Sequence, residues 1–131
     1  MQTLERLQVD GRHTVQRIRR ADRWWSRARG LLGTRTLPAD QGLWLAPCAS
    51  VHTVGMAYPI DVIFVDRACV VLKVVPALPA WRASACRGAA GTLELPAGTA
   101  AALGIAVGGR VALVADDINM NRAGSPEGGG P

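Results

Sequence analysis

Apolar residues fall in short runs along this chain, and most of the runs have the period of strands rather than helices. "TVQRIRR", Thr14 to Arg20, reads as a strand although Val15 and Ile18 break strict alternation. "ADRWWSRARGLLGTR" has the helical period instead. Trp24, Ala28 and Leu31 fall on one face with Trp25 and Leu32 beside them, Asp22 can cap the start, and Gly33 can end it. After the turn-like "LPADQG", everything to Val75 reads as strands: "GLWLAP", the β-branched and alternating "SVHTVGM", and "IDVIFVD" and "CVVLKVV", apolar on both faces. Asp66-Arg67-Ala68 is a tight connection that makes the last two a hairpin.

The stretch 76–91, "PALPAWRASACRGAAG", reads as a long loop, and loops of that length inside a domain are usually functional or mobile. "TLELP" is a further strand, Gly98 to Leu103 a helical turn or two closed by Gly104, and "VGG" turns into a last strand, "RVALVA". "DDINMNRAGSPEGGGP" loses apolar periodicity and is expected to be disordered. The expected fold is therefore α+β, mainly β: a small curled or barrel-like sheet with one early helix and one short late helix. One domain covers residues 14–115, with a lead-in over 1–13 and a Gly/Pro-rich tail over 116–131.

Composition narrows the picture. A chain of 131 residues supports one hydrophobic core. Although 49% of it is apolar, no run approaches the roughly 18 residues of a membrane span, so no membrane partner is expected. The opening "MQTLERLQVDGRH" is charged and has no apolar h-region, and the three cysteines form no C-x-x-C pair, so the expectation is a cytoplasmic protein with reduced thiols. The net charge of +5 is local: residues 1–35 hold nine arginines against Glu5, Asp10 and Asp22, whereas the remainder is close to neutral.

Several residues could carry chemistry. Cys48, His52 and Met56 recur every four residues, a spacing that brings soft-metal ligands together only on a helix. In an extended segment, successive members are about 13 Å apart, so no metal site and no cofactor is expected there. They would instead mark separate points along one inner wall, with His52 in the middle. Asp61 shares a face with Ile63 and Val65 and should point inward, bonded to amides of the Tyr58-Pro59 turn, paired with an arginine, or facing a pocket. His52 is either a satisfied core histidine or a general acid/base. Trp81-Arg82 is either an anion or ligand contact or a lid packed over the barrel end. Glu94 reads as a surface or rim residue. No catalytic triad, zincin, P-loop or dinucleotide motif is present.

Four blocks occur in order: "RGLLGTRTLPADQGLWL", "CASVHTVGMAYPIDVIFVD", "PAWR" and "LELPAGTAAALGIAVGGRV". Together they resemble the DUF192 (UPF0127) family, over about Thr14 to Ala115. The resemblance implies a compact, mainly β domain with few helices and no established activity. Many members carry an export signal and read roughly Trp-Met-Lys-Asn-Thr where this chain has "VHTVGM", and often have an acidic residue where this chain has Gly109-Arg110.

Three functions compete. The first is a small ligand-binding or accessory module whose polar pocket lies between the His52 strand, Asp61 and the Trp81-Arg82 loop, with Met56 in its wall and an unidentified small molecule as partner. The second is an enzyme using His52 and Asp61 as acid and base, though no nucleophile with a partnered base is visible. The third is nucleic-acid binding through Arg12–Arg35. Nucleic acid is the less expected partner, because that arginine run also reads as a solvated helix face. Oligomeric state is undecided by the sequence.

Overall fold

Ile60–Val65 (β5) is buried at every position, as its two-faced apolar run predicts. It lies between two antiparallel neighbours, Val71–Leu78 (β6) and Gly91–Pro96 (β8), in a computed structural model that describes residues 4–21, 37–53 and 58–116. The other strands are Leu4–Val9 (β1), Arg12–Ala21 (β2), Gln41–Leu45 (β3), Ser50–His52 (β4), Ala83–Ala85 (β7) and Val111–Ala115 (β9); Thr99–Leu103 is a short helix, α1. Seven strands form one mixed sheet in the order β6-β5-β8-β3-β2-β1-β9, while β4 and β7 pair as a separate two-stranded sheet. Only β2 and β3 run parallel among these pairs.

Alternation along β5 assigns its residues to two cores. Ile63 and Val65 join Leu7, Ile18, Leu93 and Val111 on the inner face of the sheet. Ile60, Val62 and Phe64 point the other way, into a smaller cluster shared with Val51 and Leu78 and covered by β4 and β7. Trp44 packs on the inner cluster with its ring over Gly91, where a β-carbon would collide with it. The bare backbone at Gly91 is what admits the indole.

The sheet curls without closing into a barrel. Its edge strands β6 and β9 meet at one corner, through a single bridge between Val70 and Arg110 and the Val71 amide on the Gly109 carbonyl at 2.8 Å, and no ladder joins them beyond it. Gly98 and Gly104 bracket α1 at φ 91° and 75°, values that favour glycine, so the late helix starts and stops where its sequence predicts.

Other expectations are corrected. Residues 4–9 of the expected lead-in are a strand, because β1 fills the place between β2 and β9. The expected 76–91 loop is instead the end of β6 plus β7, whose alanines and serine pair with β4. Lys73 on β6 is exposed because that strand is an edge, not a buried centre. Asp116, expected in the tail, accepts hydrogen bonds or ion pairs from Arg6 and Arg17. The early helix over Asp22–Gly33, Met56, and residues 117–131 lie outside the described residues. Among the described residues, no helix is long and apolar enough to cross a membrane.

Candidate functional site

Asp61 is 1% exposed and points to the inner face, as its alternation predicts. Its partners are two backbone amides, but not those of the Tyr58-Pro59 turn. Between Ile60↔Leu78 and Val62↔Val75 the β5–β6 register slips, and the bulged Ala77, at φ 47°, turns its amide to Asp61 Oδ1 at 2.8 Å. Asp61 Oδ2 accepts the Ala100 amide in the first turn of α1, also at 2.8 Å. The carboxylate is thereby satisfied as a structural link between a strand bulge and a helix end.

His52, Trp81 and Arg82 belong to the other side of β5. His52 pairs with Ala83 across β4 and β7, and its side chain is exposed, whereas Val51 and Thr53 are buried. The inward histidine read from alternation is therefore corrected. The strand begins only at Ser50 and its inner face is set by Val51, which joins the second core. Cys48 lies before the strand and packs against that core while donating to the Ser50 carbonyl, so it does not share a wall with His52. Among the described residues, no three His, Cys, Asp or Glu side chains converge as metal ligands.

Thr53 organises the turn that presents Trp81. Its amide donates to the Arg82 carbonyl at 2.8 Å, its hydroxyl donates to the Pro79 carbonyl at 2.6 Å, and that hydroxyl accepts the Arg82 amide at 2.8 Å. The Trp81 amide returns to the Thr53 carbonyl at 3.2 Å. Held this way, Trp81 adopts φ 63° and is 65% exposed, so it is not a lid packed on the sheet. Arg82 is exposed beside it. Next to them, Ser50, Val51, His52 and Ala83–Ala85 line a shallow depression of about 370 Å³. Nothing in the sequence marks Thr53, since a buried threonine in a strand run carries no chemical signature.

His52 pairs with Ala83, the residue that follows the Trp81-Arg82 turn, Asp61 stands on the opposite face of β5, and Met56 lies outside the described residues. Glu94, expected at the rim, is 1% exposed, because β8 is central rather than peripheral. Register places Glu94 next to Leu43, and Leu43 next to Arg19, on one sheet face. Part of the basic N-terminal region is engaged internally. Arg6 and Arg17, opposite one another on β1 and β2, both reach Asp116, at 3.3 and 3.2 Å, and Arg20 pairs with Glu5.

A family model described as "Uncharacterized ACR", DUF192, matches residues 5–113. The chain belongs to the DUF192 family. This DUF192 chain is similar in fold to two solved structures. One, from Sinorhizobium meliloti 1021, is provisionally described as a transcription regulator; it is 21% identical, with a TM-score of 0.73, over 86% of this chain and 95% of that one. The other, a protein of unknown function from Novosphingobium aromaticivorans DSM 12444, is 24% identical, with a TM-score of 0.71, over 83% of this chain and 84% of that one. At these identities the likeness is one of fold. No curated protein matches this DUF192 chain.

Proposed function

We propose that this DUF192 domain is a binding module rather than an enzyme, and that it takes a small planar anion on the surface formed by Trp81, Arg82 and His52. The observation that carries the reading is the presentation of Trp81: a large aromatic residue in a left-handed backbone conformation, 65% exposed, fixed by four backbone and hydroxyl bonds around Thr53. Strain of this kind costs about 1–3 kcal/mol and collects at ligand clamps and other functional sites. Tryptophan supplies a stacking face and Arg82 a planar fork for an anion, while the neighbouring depression gives the ligand a floor. Against catalysis stands the separation of His52 from Asp61, with both Asp61 oxygens already occupied.

The test is a ligand-observed NMR screen of aromatic carboxylates and phosphates against the purified full chain, repeated with Trp81→Ala and Arg82→Ala. Hits should lose at least tenfold in affinity in each variant, an effect of about 1.4 kcal/mol. Hits that bind both variants unchanged, or a screen without hits, would sink the reading.

A further inference from the structure

Two of the three cysteines lie on the same side of the sheet. Cys48 and Cys86, both half-buried, pack against the cluster of Ile60, Val62 and Phe64, whereas Cys69 packs with the inner core on the opposite face of β5. The β4–β7 pairing brings the first two together. Its register, Ser50↔Ala85, runs on by one residue, because the Cys86 amide donates to the Ala49 carbonyl at 2.9 Å. Cys48 is therefore one residue from direct opposition to Cys86. In a straight strand such a pair would point to opposite faces. The chain bends at Ala49 instead, and Cys48 packs on the same cluster as Cys86.

One row of paired residues anchors both cysteines. Phe64 on β5 is flanked in register by Lys73 on β6 and Thr92 on β8. Thr92 Oγ1 donates to the Cys48 carbonyl at 3.0 Å, and the Cys48 amide donates to the Ala90 carbonyl at 3.3 Å. From the other side, the Lys73 ammonium donates to the carbonyl of Ala85, next to Cys86, at 2.9 Å. Directly opposed residues of a ladder have β-carbons about 4.5–5.5 Å apart and second diagonal neighbours about 7–8 Å, so a first diagonal falls between. A disulfide spans α-carbons about 4.4–6.8 Å apart, which that placement meets. Each thiol contacts a carbonyl of its own segment, Cys48 Sγ that of Ser50 at 3.1 Å and Cys86 Sγ that of Arg87 at 3.7 Å. A change of rotamer releases either one.

We infer that Cys48 and Cys86 are a redox pair that forms a reversible disulfide, with a low-molecular-weight disulfide such as oxidised glutathione as the oxidant. The thiolate of Cys86 attacks one sulfur of that oxidant, forming a mixed disulfide and releasing one glutathione thiol. The thiolate of Cys48 then attacks the Cys86 sulfur, forming the Cys48–Cys86 bond and releasing the second glutathione thiol. The protein gives up two electrons and two protons, and the oxidant is reduced to two thiols. Lys73 and Arg87 put positive charge beside Cys86, which favours encounter with the carboxylates of glutathione. The bond cross-links the β4–β7 ribbon at the end away from the Trp81-Arg82 turn. Cys69, on the other face of the sheet, takes no part.

Incubation of the folded full chain with oxidised glutathione, followed by tryptic mass mapping, tests it. The three cysteines fall in separate peptides, residues 36–67, 68–73 and 83–87, so each linkage is read directly. The expected product has lost the mass of two hydrogens and joins 36–67 to 83–87, and excess dithiothreitol restores the starting mass. Cys48→Ser should stop at the mixed disulfide, with one glutathionyl group on Cys86. Cys69→Ser should form the cross-link as the unsubstituted chain does. Cross-linking should raise the melting temperature by roughly 5 °C, because it restricts the unfolded chain. Glutathionyl groups retained on both Cys48 and Cys86, a link that involves Cys69, no reaction of either thiol, or a cross-link that lowers the melting temperature overturns the assignment.

Discussion

Asp61 on β5 caps α1 through the amide of Ala100, at 2.8 Å, in a helix that has no side-chain cap of its own because its N-cap residue is Gly98. A residue from mid-chain thus does the work usually given to the Ser, Thr, Asp or Asn at the helix start. The same carboxylate holds the Ala77 bulge, so one side chain fixes the ends of two elements.

Replacing Asp61 by Ala leaves the buried Ala100 amide without its acceptor and frees the bulge. The expected loss is about 2–4 kcal/mol, at roughly 1–3 kcal/mol per deprived group. Asp61→Asn, which keeps one acceptor oxygen, should lose less. Urea unfolding of the three proteins checks this, and a loss below about 1 kcal/mol for the alanine variant would contradict the linking role.

Gly91 is the floor on which Trp44 rests. Gly91→Ala introduces a methyl group where the indole lies, with an expected cost of about 1–3 kcal/mol from overpacking. The double variant with Trp44→Phe should recover part of that loss, because the smaller ring withdraws from the new methyl group. Additive losses in the double-mutant cycle would show that the two sites do not touch.

Asp116 holds together two arginines that register places opposite each other. Asp116→Ala should therefore destabilise by about 1 kcal/mol at low salt, and by less when salt screens the remaining Arg6–Arg17 repulsion. Removing residues 117–131 while keeping Asp116 should leave the melting temperature within about 2 °C, since that segment has no apolar pattern. Thermal melts at two ionic strengths compare the two changes.

Arg6, Arg17 and Arg20 are already occupied by Asp116 and Glu5, which lowers the positive potential the sequence advertises. Binding to duplex or single-stranded DNA is expected to be no tighter than the non-specific level of roughly 10⁻⁶ M at physiological salt. Fluorescence anisotropy across a salt series measures it. Tight, steeply salt-dependent binding lost on substituting Arg19 and Arg20 would reverse that expectation.

Local physics made much of the fold legible. The both-face apolar run Ile60–Val65 meant a central strand, Asp66-Arg67-Ala68 meant a hairpin, and Gly98 and Gly104 marked the limits of a short helix, because each signal is decided within a few residues. The inward carboxylate of Asp61 was likewise readable from alternation. Its partners were not, since a bulge at Ala77 and a helix beginning at Thr99 come to it only through strand pairing. His52 turned outward because the register of a three-residue strand is set by which neighbour fits the second core, and Val51 fits it better. Glu94 became buried because the chain order of strands does not reveal that β8 sits between β5 and β3. Strand periodicity is a short-range property, whereas the order of strands in a sheet is set by pairing between segments far apart in the chain.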